Sequence, residues 1–327
     1  MFSQLNKIFV HCRLPKKELE ILKKNFLLKI HHSKNIVLNE DEFFIKAKGF
    51  NGIISQGNVI NKNFIKANKN SLKAISNVGV GYDNIDIDAA TKSGVAVFNT
   101  PNLMNGAVAD LTLGLILSVV RKICLGNKFV KDRKWKGNSW DLFWGESLQS
   151  EKIGIIGLGN IGKEVALRAR SFGLEVFYHN RNILNNSTEK KYKVKYLNFD
   201  DLISRCKFIV LLLPLTKESK HLFTKKEFKK MRKDSYIINM ARGKIIKETD
   251  LVDALKKNQI AGAALDVFEN EPKVEKKLLT LNNVVLMPHA GSATVIARTK
   301  MMQLACNNLK NFFLKGTLDN LVNKGFK

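Results

Sequence analysis

Apolar residues recur along this chain in two forms: short unbroken runs rich in β-branched and aromatic side chains, and longer stretches with helical spacing. The runs at 7–12, 50–55, 72–77 and 95–98 read as strands, and the run that opens at Lys152 reads as a strand buried on both faces of a parallel sheet. Between them, 15–25 predicts a helix opened by proline, and 61–67 a shorter one. A long apolar helix is predicted at 107–120, where Arg121 and Lys122 complement the negative end of its dipole. Strands are predicted again at 152–157, 175–179, 208–213, 236–240, 260–267 and 284–287, with a helix at 250–257. A closing helix at 293–314 carries Val295, Ile296, Met302, Leu304, Ala305, Leu309, Phe312 and Phe313 at helical spacing. This alternation of strands and helices predicts an α/β protein built on parallel sheets.

The stretch KIGIIGLGNIGKEVALRARSFG at 152–173 organises the second half of the chain. A buried strand runs into Gly157, Gly159 and Gly162 in the spacing GxGxxG, and a helical pattern follows through Val165, Ala166, Leu167 and Ala169. The three glycines do different things. Gly157 permits the tight turn, Gly159 lets backbone approach a pyrophosphate, and Gly162 lets helix pack on strand. The N–H groups and positive dipole end of the new helix then face the phosphates of a dinucleotide.

At 327 residues the chain is long enough for two domains, and 45% hydrophobic with 26% charged residues is the balance of a soluble globular protein. No apolar run approaches the roughly 20 residues that cross a bilayer. The opening MFSQLNKIFVHC has no apolar core followed by a small-residue cleavage site, so no secretory signal is expected. Cys12, Cys124, Cys206 and Cys306 lie far apart, which fits a reducing, cytoplasmic compartment and no metal site. A net charge of +26 raises the question of nucleic acid or an anionic membrane. Only ten of the 55 basic residues are arginine, and the lysines are scattered over helices, so a solvated lysine-rich surface is expected. Neither a specific nucleic-acid partner nor a membrane partner is expected, although the positive field favours anionic substrates at low salt.

Two further segments are open to more than one reading. In the stretch 77–102, Gly79 and Gly81 sit at the end of a strand, where α/β sheets bind ligands, and Asp86 and Asp88 stand at a helix start. A turn followed by a cap accounts for the same residues. The segment WKGNSWDLFW at 135–144 lacks a clear period and reads as an arm or loop, its aromatics packing on a neighbouring subunit, on a substrate, or in the core.

Three stretches, INMARGKII at 238–246, ALDVFENEP at 264–272 and MPHAGSAT at 287–294, make the reading specific. With GLGNIG and NVGVGYDNID they closely resemble the D-isomer-specific 2-hydroxyacid dehydrogenases, in that family's order and over nearly the whole chain. The resemblance implies two Rossmann/flavodoxin-like parallel-sheet domains, the cofactor domain (101–290) being inserted into a discontinuous catalytic domain (1–100 and 291–327). It also implies hinges near Thr100 and Ala290, an active site in the cleft between lobes, and a homodimer formed through an arm and helices of the cofactor domain.

Reducing a 2-oxo acid requires a hydride donor, a cation for the carboxylate and an acid for the carbonyl oxygen. Arg242 offers a planar, permanently charged fork for the carboxylate. The unperturbed pKa of histidine lies near neutrality, as a reversible acid requires, which suits His289 to that role, and Glu271 could orient it and favour the imidazolium. The resemblance assigns these three catalytic roles to these positions and adds the backbone N–H groups of Val80 and Gly81 as carboxylate ligands. It places Asp266 beside the nicotinamide carboxamide, and Asn160, Ile161, Pro214, Met240, Ala241 and Gly291 along the dinucleotide.

An NAD enzyme is expected to carry Asp or Glu about 20 residues after the glycine loop, to accept a bond from the ribose 2′-OH. This chain reads VFYHNR there, with Asn180 and Arg181, which favours the 2′-phosphate of NADP: NADPH is the preferred cofactor, with NADH possible. Ala109–Asp110 and the spacing Trp140-x-x-x-Trp144 resemble the glyoxylate/hydroxypyruvate and 2-ketogluconate reductase branch, in which a partner's tryptophan can border the substrate. No regulatory domain is expected beyond Lys327, which would set the chain apart from the longer phosphoglycerate dehydrogenases. The expected activity is reduction of glyoxylate or hydroxypyruvate to glycolate or a D-2-hydroxy acid. Alternatives keep the fold and change the substrate to 2-ketogluconate, phenylpyruvate, formate or phosphite, or make the chain a dinucleotide-sensing, corepressor-like interaction protein.

Overall fold

A computed structural model describes residues 5–31, 38–137 and 140–326. The first four residues of the opening segment and Asn138 and Ser139 of the tryptophan segment lie outside the described residues. The chain forms two compact units, Met1–Met104 with Thr294–Lys327, and Asn105–Ala293.

The first unit is built on β1 (Lys7–His11), β2 (Leu27–Ile30), β3 (Gly52–Ser55), β4 (Ala74–Asn77) and β5 (Ala96–Phe98). They pair in parallel in the order β2-β1-β3-β4-β5, the flavodoxin-like order. Side chains alternate across this sheet with period two, so both faces are core. Phe9, Ile53, Ile75 and Val97 join Phe43, Phe64 and Ile65 on one face. Ile8, Val10, Ile54, Ala74 and Ala96 join Leu22, Met301, Ala305 and Leu309 on the other. The closing helix Val295–Lys315 lies on this second face, capped by Thr294, whose side chain accepts the Ala297 N–H. Ser76 Oγ donates to its Ala305 carbonyl at 2.9 Å. Asp86 caps the short helix Ile87–Lys92 by accepting the Ala89 N–H at 2.9 Å, whereas Asp88 sits inside its first turn.

The second unit holds β6 (Lys152–Ile156), β7 (Glu175–His179), β8 (Val194–Tyr196), β9 (Phe208–Leu211), β10 (Tyr236–Asn239), β11 (Gly262–Leu265) and β12 (Val284–Leu286). Its parallel order is β12-β11-β10-β9-β6-β7-β8, the Rossmann arrangement extended by one strand. The chain reverses direction across the sheet between β6 and β9, and in open α/β sheets ligands bind at that reversal, beyond the carboxyl ends of the strands. The apolar helix Asn105–Val120 packs against the helix Asn160–Ser171 and against β11.

The chain differs from the sequence expectation at two sheet edges, at strand ends and in several short helices, among them Glu40–Ala47, Asn186–Tyr192 and Phe199–Arg205, that were not expected. The edge strands β2 and β8 were not expected, because only part of each is buried and neither makes an unbroken apolar run. Predicted runs such as 208–213 and 260–267 outlast the paired strands because the chain stays apolar after ladder pairing ends. The helix Ile123–Lys131 was also unforeseen, and none of its residues is buried within this chain.

Gly154 in β6 tests how tightly this core is packed. A Cβ there would overlap Leu202 Cδ2 and lie 3.1 Å from Cys206 Sγ. Overpacking of this kind costs about 1–3 kcal/mol, so Gly154→Ala should lower the melting temperature by several degrees in a thermal scan. An unchanged melting temperature would contradict this packing.

Candidate active site

The glycine loop leaves β6 at the reversal point of the sheet. Gly157 has φ +98°, and a Cβ on it would lie 2.7 Å from the Leu212 carbonyl carbon and oxygen at the end of β9. Only glycine suits both the backbone and the space. A Cβ on Gly162 would sit 2.8 Å from the Gly157 carbonyl oxygen, so the helix Asn160–Ser171 approaches the strand as closely as the spacing predicts. A Cβ on Gly159 would meet nothing within 4 Å. The helix starts at Gly159 with no side-chain cap, and Asn160 is exposed beside it, with Ile161 half-buried. Close packing at Gly157 and Gly162 and open space at Gly159 fit a dinucleotide pyrophosphate lying against this helix start.

Asn180 follows β7, and its Oδ1 accepts the Leu158 N–H at 2.7 Å, bracing the glycine loop from the neighbouring strand. Arg181 is exposed beside it, and its charge helps hold the Glu218 carboxyl below its ordinary range, after the Thr216 hydrogen bond. His179 is turned inward, its Nδ1 3.1 Å from the Leu197 carbonyl.

Arg242, Asp266, Glu271 and His289 follow β10, β11 and β12, which are adjacent in the sheet, so residues distant in sequence gather at one edge. His289 Nδ1 lies 2.9 Å from Glu271 Oε2. The Glu271 hydrogen bond and charge raise the His289 pKa above its ordinary 6.5, against burial and the Arg242 charge, which lower it. Burial pushes the Glu271 carboxyl up, but His289, the Phe268 N–H at 3.0 Å and Arg242 outweigh it, leaving the pKa below its ordinary value. Arg242 is thus within electrostatic reach of both partners. Its guanidinium Nη1 donates to the Ala241 carbonyl at 2.8 Å.

Asp266 is buried, and its carboxylate accepts the Ala290 N–H at 2.6 Å and the Gly291 N–H at 2.8 Å. Its own carbonyl accepts the His289 N–H at 2.8 Å. Burial raises the Asp266 pKa, and the two N–H bonds offset part of the rise. These bonds hold His289 at φ +51°, a left-handed conformation that costs a non-glycine residue about 1–2 kcal/mol. A Cβ on Gly291 would lie 3.1 Å from Asp266 Oδ2, so the loop closes tightly on this carboxylate.

Several supports escaped the sequence reading. Asn239, fully buried at the end of β10, accepts the Ala241 N–H at 3.1 Å and donates to the Arg242 carbonyl at 3.0 Å. Gly243 abuts the Phe268–Glu269 backbone so closely that a Cβ would overlap the Phe268 carbonyl carbon. His221 Nε2 lies 2.6 Å from Glu269 Oε1, and the Glu269 N–H donates to Glu248, fastening the segment that leads to Glu271. Asn239 and Glu269 lie inside the INMARGKII and ALDVFENEP stretches, whereas nothing in the sequence ties His221 to them.

The remaining predicted residues are more dispersed. Met240 and Ala241 are buried at the turn before Arg242, and Pro214 is exposed after β9, its carbonyl accepting from Ser219 Oγ at 2.8 Å. Val80 and Gly81 lie half-buried in the loop after β4 of the first unit. Trp140 is 88% exposed, and Trp135 and Trp144 are exposed as well, so none of the three serves this chain's own core.

Comparison with known proteins places the chain in a family. Residues 113–291 match the profile of the D-isomer specific 2-hydroxyacid dehydrogenase, NAD binding domain. A glyoxylate reductase of Pyrococcus horikoshii is 36% identical over 97% of this chain and 96% of its own length. The chain therefore belongs to the D-isomer-specific 2-hydroxyacid dehydrogenase family and is an oxidoreductase with an NAD-binding domain. Among solved structures, a glyoxylate reductase from Paecilomyes thermophila superposes with a TM-score of 0.87 at 32% identity, covering 98% of this chain and 99% of that one. An NADPH-dependent glyoxylate/hydroxypyruvate reductase from Sinorhizobium meliloti, in complex with NADP and malonate, gives 0.86 at 29% identity, covering 98% of each.

The His289–Glu271 pair makes a direct prediction. Following the His289 ring resonance by NMR against pH should give a midpoint above 6.5. Glu271→Gln should move it down, because the hydrogen bond and the charge that favour the imidazolium are both lost. An unmoved midpoint would show that Glu271 does not set the proton affinity of His289.

Proposed function

We propose that this enzyme reduces a small 2-oxo acid, glyoxylate or hydroxypyruvate, to glycolate or a D-2-hydroxy acid, with NADPH preferred over NADH. The observation that carries the reading is the His289–Glu271 pair at 2.9 Å, with the Arg242 charge in reach of both. The bound nicotinamide supplies the hydride that goes to C2 of the substrate. Glu271 fixes the Nδ1 side of the imidazole, which puts the transferable proton at Nε2, facing the carbonyl oxygen that gathers charge. Because His289 must carry that proton for reduction, kcat/KM should fall as pH rises through its elevated pKa. Arg242 engages the carboxylate and orients C2, with Val80 and Gly81 N–H groups as further ligands. In this reading the first unit is the catalytic domain and the second, with Asn160, Ile161, Pro214, Met240, Ala241, Asp266 and Gly291, holds the dinucleotide.

The substrate assignment is supported by the relatives named above, which are glyoxylate reductases over nearly their full length. The cofactor preference rests on Asn180 and Arg181 where an NAD enzyme would carry a carboxylate. Asn180 is occupied in bracing the loop, so Arg181 is the residue we assign to the 2′-phosphate. A homodimer explains why no residue of the helix Ile123–Lys131 is fully buried in this chain and why Trp135, Trp140 and Trp144 are exposed, Trp140 bordering the partner's substrate. We place the enzyme in the cytoplasm, where its four free cysteines stay reduced.

Initial rates at 340 nm with glyoxylate should favour NADPH over NADH. Arg181→Ala should cut that preference about tenfold, the loss of roughly 1.4 kcal/mol of phosphate binding. A preference for NADH, or an unchanged ratio in the variant, would contradict the cofactor assignment. Light scattering on an eluting column should give twice the chain's mass. A monomer would remove the dimer and the role proposed for Trp140.

A further inference from the structure

The loop after β4 carries a feature that the assignment of Val80 and Gly81 does not contain. Three consecutive carbonyls in it are tied down by this unit's own scaffold. The Gly79 carbonyl accepts the Thr100 N–H at 3.0 Å. The Val80 carbonyl accepts from Asn99 Nδ2 at 2.8 Å, and the Gly81 carbonyl from Asn77 Nδ2 at 2.7 Å. Thr100 and Asn77 are buried, and Asn99 is half-buried, so all three bonds point the carbonyls toward the interior. In a trans peptide the C=O and the next residue's N–H point in opposite directions. Fixing these three carbonyls inward therefore turns the N–H groups of Val80, Gly81 and Tyr82 outward together.

We infer that Asn77 and Asn99 are positioning residues that set a three-donor cradle for the substrate carboxylate, and that the Tyr82 N–H is its third donor. The inference rests on the proposed reduction of a 2-oxo acid. A carboxylate has two oxygens and about four acceptor sites, so three parallel N–H groups suit it, and charge-assisted bonds of this kind are the stronger ones. Preorganisation is what the asparagines add, because donors already aimed need not be ordered when substrate arrives.

The asparagines are themselves fixed. Asn77 ends β4, and Gly79 leaves room for its amide: a Cβ on Gly79 would lie 3.3 Å from Asn77 Nδ2. The Asn99 carbonyl accepts from Asn308 Nδ2 at 3.0 Å, and Asn308 Oδ1 accepts from Asn320 Nδ2 at 3.0 Å. Asn308 is buried in the closing helix. An amide chain thus runs from that helix to the Val80 carbonyl. Asn84 is the natural control: its Nδ2 donates to the Asn58 carbonyl at 2.7 Å, in the same loop region but on none of the three peptides.

The test compares Asn77→Ala, Asn77→Asp, Asn99→Ala and Asn84→Ala in steady state and by amide NMR. Losing the Asn77 or Asn99 donor should raise KM for glyoxylate about tenfold while kcat stays within about twofold and NADPH affinity is unchanged. Asn77→Asp keeps the shape but not the N–H, so it should behave like Asn77→Ala, whereas Asn84→Ala should leave KM alone. Oxalate added to the wild-type enzyme with NADP should shift the amides of Val80, Gly81 and Tyr82 together, and Asn77→Ala should weaken that response. Wild-type KM in the Asn77 and Asn99 variants, or an oxalate response that omits these amides, overturns the inference. A wild-type enzyme inert toward every 2-oxo acid overturns the functional reading instead, and the oxalate titration still decides the cradle.

Discussion

The site depends first on one buried carboxylate. Asp266 accepts the Ala290 and Gly291 N–H groups, while its own carbonyl accepts from His289. Those three bonds fix the turn after β12 and hold His289 in a left-handed conformation it would not choose by itself. Burial makes this carboxyl easier to protonate, yet two short backbone bonds keep both of its oxygens occupied. Without that anchor, neither the Glu271 bond nor the reach of Arg242 to His289 would be defined.

Sheet order explains how such distant residues meet. β10, β11 and β12 are neighbours, so the turns carrying Arg242, Asp266 and His289 emerge side by side at one edge. Asn239 shapes the first turn, and the His221–Glu269–Glu248 contacts hold the segment before Glu271. The glycine loop emerges at the reversal point between β6 and β9 of the same sheet, so it and the His289–Glu271 pair share one framework.

Much of this was legible in the sequence because parallel strands buried on both faces leave unbroken apolar runs, and the glycine spacing is dictated by close backbone contacts. The central strands and both long helices could be read that way. The edge strands β2 and β8 could not, since neither makes an unbroken buried run, whereas β5 and β12 at the opposite edges could. Polar supports were harder still: Asn239 and Asn180 look like any loop asparagine until folding sets them against the Arg242 turn and the Leu158 amide. Asp266 could be singled out through the family motif, but its grip on Ala290 and Gly291 depends on the pairing of β11 with β12.

The central claim is that His289 donates the proton during reduction of a 2-oxo acid. Measuring NADPH oxidation by glyoxylate in His289→Gln, beside NADPH binding by the same variant, tests it most directly. Turnover should fall by about 10²–10⁴-fold, the usual worth of a positioned general acid, while dinucleotide affinity stays at the wild-type value. Turnover close to wild type in that variant would contradict the account.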